Sequence, residues 1–191
     1  MDALEKRASE RLNKEFQFDT LDYKTVVTMA AYFLNDTFMC SELGINLKKG
    51  ILLAGPIGCG KTFLFELIRT ILDYENQFKI KSCRSIVSEY AENGPLVIRQ
   101  YTRGHIYHQK PFVFCFDDLG AEMNTNYYGT EINVLGEILL TRYDVFVREG
   151  VKTHITTNLS THEIDVIYGN RARSRFREMF LKQKESPKRG L

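Results

Sequence analysis

The sequence predicts an α/β fold, with a central parallel sheet and helices on both faces. Three observations carry this. Residues 50–54 (GILLA) and 112–116 (FVFCF) are short apolar runs without polar alternation, as strands covered on both faces are. Residues 151–158 (VKTHITTN) are a third strand of mixed character, and helical patterns lie between the three. The first strand breaks into a glycine-rich loop, GPIGCGKT at 55–62, which leads straight into an amphipathic segment. Strands alternating with helices pair in parallel and settle into three layers, helix–sheet–helix.

The elements follow in order. Leu4, Ala8, Leu12 and Phe16 recur every fourth residue and predict a helix over 2–16; a second runs over 23–40 and stops before Gly44. After the 50–54 strand, Leu64, Leu67, Ile68, Ile71 and Leu72 predict a helix from 61 to 73. A short strand over 78–82, a helix over 86–92 stopped by Asn93-Gly94-Pro95, and a helix over 96–101 come next. Residues 131–148 form the clearest amphipathic helix, with Ile132, Leu135, Ile138, Leu139, Arg142, Tyr143 and Phe146 in register. Helices over 161–168 and 171–180 close the core. The expected division is a helical extension over 1–20, a core over 21–180 and a flexible tail over 181–191.

Composition limits the function. The 191 residues suit one domain, 43% hydrophobic and 26% charged, which argues against global disorder. A net charge of +2 means that any nucleic-acid contact must come from a local patch. No apolar stretch approaches a membrane span of about 20 residues, and the charged start MDALEKRASERLNKEF is unlike a signal peptide. Cys40, Cys59, Cys83 and Cys115 have no Cys-x-x-Cys spacing, so neither a disulfide framework nor a zinc site is expected, and the cytoplasm is the expected compartment.

The chemistry starts at the loop. Gly55, Pro56, Ile57, Gly58, Cys59, Gly60, Lys61 and Thr62 satisfy G-x-x-x-x-G-K-[ST] between a strand and a helix, with Phe63 following. The glycines let successive N–H groups turn inward to phosphate oxygens, and the following helix adds its positive end. Lys61 reaches the outer phosphates and the Thr62 hydroxyl ligates Mg²⁺. The second strand runs into Asp117-Asp118, which places Asp117 beside the loop as a magnesium partner. Two acids buried at one strand end would also call for a cation between them. Asp118 is placed to orient or deprotonate the attacking water, with Glu122 the second candidate. Asn158, past the third strand, is placed to touch the γ-phosphate or that water. Four arginines fall within seven residues from Arg171 to Arg177, and one of them reaching a neighbouring subunit's ATP would stabilise transition-state charge.

GPIGCGKT, FVFCFDDLG, HITTNLS and YGNRARSRFREMF together resemble the AAA+ ATPases. Within these, they resemble the DnaC/DnaI-type helicase loaders and the related IstB-type transposition helpers. The resemblance spans about residues 20 to 180. It implies an AAA+ P-loop core that binds ATP and Mg²⁺ and is a slow ATPase alone. The site it implies comprises the phosphate loop, Asp117 and Asp118, Asn158 as a sensor, and an arginine finger best matched by Arg175 with Arg171 beside it. It further implies ATP-dependent self-association, a replicative helicase as partner and contact with single-stranded DNA; the IstB-type alternative implies duplex DNA and a transposase. Two departures stand out. About 45 residues precede the first core strand, short for a helicase-gripping domain, and only 16 follow Arg175, too few for a C-terminal helical lid. Phage and mobile-element versions are often this compact. Arg99, Tyr101, Arg103, His105, Tyr107, His108 and Lys110 interleave rings with cations, a pattern suited to single strands. An ordinary amphipathic surface reads the same way. The first helix either docks a helicase or, as we expect, packs on the chain's own core. A small-molecule kinase shares the phosphate loop but leaves Asp117-Asp118 and the arginines unexplained. A poorly hydrolysing scaffold, with ATP as glue between subunits, is a further alternative.

Overall fold

The computed structural model describes residues 2–104, 111–122, 125–127 and 130–184. Its strands are β1 (Gly50–Ala54), β2 (Lys79–Ser82), β3 (Phe114–Leu119), β4 (Thr125–Tyr127), β5 (Thr130–Ile132), β6 (Thr153–Thr157) and β7 (Phe180–Lys184). Five of them form one sheet in the order β2-β3-β6-β1-β7, every neighbouring pair parallel, while β4 and β5 form a separate antiparallel pair. The helices are α1 (Asp2–Leu12), α2 (Thr20–Phe33), α3 (Thr37–Glu42), α4 (Lys61–Arg69), α5 (Cys83–Asn93), α6 (Leu96–Thr102), α7 (Val134–Glu149) and α8 (Thr161–Met179).

Period-two alternation sends the strand side chains to opposite layers. Ile51, Leu53 and Cys115 meet Leu4 and Ala8 of α1, Val26 and Met29 of α2, and Leu64, Phe65 and Ile68 of α4. Leu52, Ala54, Phe114, Phe116 and Ile155 meet α5 to α8 on the other face. Leu4 and Ala8 of α1 thus pack on the core of their own chain, while Leu12, where the helix read over 2–16 already ends, is exposed. β1 and β6 approach so closely at Gly50 that a Cβ there would lie 1.7 Å from the Thr153 carbonyl oxygen, so only glycine fits. All four cysteines are buried and in no disulfide, and burial pushes the thiols of Cys83 and Cys115 well above their ordinary range.

Several boundaries differ from the sequence reading. The helix read over 23–40 breaks where Asn35 takes φ +55° and Asp36 caps α3 by accepting from the Met39 N–H at 2.9 Å. The helix read from 131 starts only after β5, capped by Asn133 accepting from the Gly136 N–H at 2.8 Å. The two closing helices read over 161–168 and 171–180 are both present within α8, separated by the non-helical Gly169 (φ +80°, ψ 166°). Residues 181–184, read as tail, belong to β7, which pairs with β1 from Gly50–Phe180 to Ala54–Lys184. FLKQK has the brevity and the lysines of an edge strand, and on paper it extends the preceding helical pattern.

Two buried polar side chains knit the sheet. The Arg142 guanidinium, fully buried, donates to Thr153 Oγ1 (2.8 Å) and to the carbonyls of Lys152 (2.8 Å), Phe112 (3.0 Å) and Tyr101 (3.3 Å). His154 Nδ1 accepts from the Ile51 N–H at 3.1 Å, and its ring lies among Tyr32, Phe33, Phe65 and Phe78. Burial, then the positive charges of Lys152 and Arg142, push the His154 imidazole down to about 3. The unfolded chain takes up this proton near pH 6.5 and the folded chain does not. Stability contributed by His154 is therefore complete above about pH 6.5 and falls by about 1.4 kcal/mol per unit below it. Unfolding free energies from urea titrations at pH 7 and pH 5 should differ by about 2 kcal/mol from this residue, and His154→Asn should remove that difference. An equal loss in the variant would clear His154 of the effect.

Candidate nucleotide site

β1 delivers the chain to the loop, and the Gly55 N–H donates to the Thr157 carbonyl at 3.1 Å, tying the loop's start to the end of β6. Gly58 (φ +80°) and Gly60 (φ +98°) take left-handed backbone angles. At Gly58 an added Cβ meets nothing within 4 Å, so conformation alone demands glycine there. Gly60 caps α4 with no side-chain hydrogen bond, which leaves the first amides of α4 for an anion. Cys59 is buried, and Ile57 is 84% exposed at the loop. Lys61, 5% exposed, donates its ammonium to the carbonyls of Gly55 (2.9 Å) and Pro56 (2.8 Å). A phosphate has to exchange for these two partners. The Phe63 ring turns away and packs on Phe16 with centroids 5.8 Å apart, leaving only its backbone to the site.

The ends of β3 and β6 complete the site. Asp117 is half-buried; its Oδ1 accepts from Thr62 Oγ1 at 2.9 Å and from Thr156 Oγ1 at 2.7 Å. Thr156 Oγ1 in turn accepts from the Asp118 N–H at 2.8 Å. The β3–β6 register shifts between Phe116 and Leu119, and Asp118 takes φ +58°. That bulge corrects one expectation. The two acids are not buried together: Asp117 turns in to hydroxyl donors, and Asp118 is exposed. Asn158 is exposed at the same end of the sheet, one residue past the Leu119–Thr157 pair.

Downstream, Ser160 and Glu163 form a reciprocal capping box that starts α8. Arg171 is exposed, Arg173 pairs with Asp165 at 2.9 Å, and Arg175 lies over the Tyr143 ring (4.8 Å) with a bond to the Leu140 carbonyl at 3.3 Å. Among the described residues no hydrogen bond joins Arg171 or Arg175 to the loop. Sequence reasoning missed Thr156, whose only signal was a hydroxyl within THITT, and Tyr168, which donates to Glu122. The basic-aromatic stretch also reads differently. Arg99 and Arg103 are exposed, but Tyr101 is buried with its hydroxyl on Glu89 (2.7 Å), so its ring offers no stacking face. His105, Tyr107, His108 and Lys110 lie outside the described residues.

A hydroxyl and a carboxylate 2.9 Å apart are hard oxygen donors of the kind Mg²⁺ takes. Among the described residues no three acidic, histidine or cysteine side chains converge as a metal cage.

Sheet order, loop and the Thr62–Asp117 contact define a P-loop nucleotide-binding fold. The chain belongs to the ATPase family associated with various cellular activities (AAA), whose profile matches residues 51–184. No match is found among curated protein sequences. Among solved structures, the DnaC helicase loader superposes with a TM-score of 0.61 at 16% identity, over 90% of this chain and 93% of that one. DnaI gives 0.61 at 19% identity, over 90% and 88%. AMPPCP-bound DnaA from Aquifex aeolicus gives 0.53 at 14% identity, over 90% of this chain and 49% of that one. At these identities the likeness is one of fold.

Proposed function

We propose that this chain is an ATP-hydrolysing DNA-replication protein of the helicase-loader type, which uses ATP to associate with copies of itself and act on a replicative helicase. The observation that carries the reading is the Thr62–Asp117–Thr156 cluster beneath the loop, with Arg175 stacked on α7 of its own subunit. One subunit supplies the cradle and another the last positive charge. The loop amides and Lys61 hold the outer phosphates. Thr62 and Asp117 would hold Mg²⁺, which screens phosphate charge when bound. Asp118, exposed beside them, orients the attacking water, and Asn158 touches the γ-phosphate side. Arg175 leaves Tyr143 and the long Leu140 bond for the neighbour's ATP, with Arg171 as a second contact. Residues 2–104, 111–122, 125–127 and 130–184 contain no helix long and apolar enough to cross a membrane. Four buried cysteines with no disulfide among them are in keeping with a cytoplasmic location.

Single-stranded DNA is the proposed second ligand. Besides Arg99 and Arg103, a groove of about 540 Å³ beside β2 is lined by Arg69, Lys79, Lys81, Gln100 and Phe112, with the Lys79 ammonium 3.4 Å above the Phe112 ring. Cations interleaved with an aromatic ring suit phosphates and bases. Oligonucleotide binding should weaken in Lys79→Ala at low salt and lose part of its salt dependence; unchanged binding would move the strand elsewhere.

The test of the whole reading is a mixing experiment. Arg175→Ala should bind ATP like the wild type and lose about 10³-fold in hydrolysis. Lys61→Ala should be inactive for want of nucleotide. Mixed, the two should recover turnover, because the Lys61→Ala subunit still offers Arg175 to an intact loop. No recovery would place the arginine within its own subunit's site. Capture of a hexameric helicase with ATP but not without nucleotide tests the partner; capture of a transposase would redirect it.

A further inference from the structure

The turn after β3 and the bend in α8 meet at the Tyr168–Glu122 contact. The Tyr168 hydroxyl donates to Glu122 Oε1, while Glu122 Oε2 accepts the Gly120 N–H at 2.7 Å, so both carboxylate oxygens are engaged. The turn is further closed by the Ala121 N–H donating to the Asp118 carbonyl at 3.0 Å. Gly120 takes φ +94°, and a Cβ there would lie 2.4 Å from Leu159 Cδ1, so the turn is pressed against the segment that follows Asn158.

On the other side, Tyr168 is the residue immediately before Gly169, whose angles (φ +80°, ψ 166°) are those of a bend between two helical halves. The first half is anchored by the Ser160–Glu163 capping box and by Asn133 Nδ2 donating to the Ile167 carbonyl at 3.2 Å. The second half carries Arg171 and Arg175 and packs Ala172, Phe176 and Met179 into the core. Glycine supplies freedom at the junction, and the tyrosine removes it. Burial, then the Glu122 charge, push the Tyr168 phenol far above its ordinary range, so it remains a donor throughout the working pH range.

We propose that Tyr168 is a positioning residue for ATP hydrolysis: by holding Glu122 it gives the Asp118 turn and the arginine-bearing half of α8 one shared orientation. Loss of the hydroxyl leaves both parts folded but frees each to move without the other. This rests on the ATPase reading above; it concerns how the site is aligned, not whether nucleotide binds.

Tyr168→Phe, Glu122→Gln and the double variant decide it. Each single variant is expected to lower kcat about tenfold, the scale of lost supporting hydrogen bonds around a site, with KM for ATP and ADP affinity within about twofold. The double variant should lose no more than one single variant, because both remove the same contact. An unchanged kcat in Tyr168→Phe, multiplied losses in the double variant, or a rise in KM alongside a fall in Tm would overturn the proposal. The last two would mark separate roles or mere packing. Hydrogen exchange of the 166–172 amides gives a readout that needs no turnover. A non-hydrolysable ATP analogue should protect them in the wild type and not in Tyr168→Phe, and equal exchange in both proteins would overturn it. A wild type that binds ATP without hydrolysing it defeats the ATPase reading instead, and the exchange comparison still decides the contact.

Discussion

Lys61→Ala is expected to lose about 100-fold or more in affinity for ATP and ADP while remaining folded. The residue is 5% exposed and is the one lysine within the glycine loop, so its bonds to phosphate would form with little water to weaken them. Charge-assisted bonds of that kind contribute about 1.5–3 kcal/mol each, and about 1.4 kcal/mol is a factor of ten in affinity. In the free protein the lysine occupies the Gly55 and Pro56 carbonyls. Gly55 is half-buried and Pro56 is exposed, so water replaces the ammonium there and the fold loses little. Titration calorimetry with ADP and with ATP measures the effect. Wild-type affinity in the variant would remove the nucleotide reading altogether.

The second large effect is on stability. Arg142→Met should cost about 3–5 kcal/mol, because it keeps the stem of the side chain and strips four acceptors of their donor. Those acceptors belong to the end of α6, the approach to β3 and the start of β6, with no carboxylate among them. Burial lowers the guanidinium to about 10, which still leaves it charged at neutral pH. Arg142→Lys should be nearly as damaging, since one ammonium cannot span four directions. Urea unfolding at pH 7 measures both, and a loss under about 1 kcal/mol in either would show that water fills the role.

The placement of the loop and of Asp117 was legible because these parts of the candidate site are local in sequence. A loop must have its glycines where the backbone turns, and an apolar strand ending in an acid announces where that acid sits. What escaped reading depends on distant partners. Arg142 falls in register with leucines, and nothing nearby in sequence reveals the carbonyls that make its burial tolerable. Thr156 looks like any strand threonine until β3 lies beside it. The divergence of Asp117 from Asp118 follows from a bulge against β6, so the two acids read as buried together in the chain and are not in the fold. β7 was lost for a related reason: FLKQK becomes a strand only because β1 offers it an edge.

That edge has a practical consequence. β1 is buried at all five positions, and β7 covers its outer side along its full length. A chain cut just before Phe180 would keep the loop, both aspartates and all four clustered arginines. It would also lay open a smooth apolar strand with unsatisfied amides, a template for another chain to add to. Such a shortened protein should precipitate or form intermolecular sheet rather than simply lose activity.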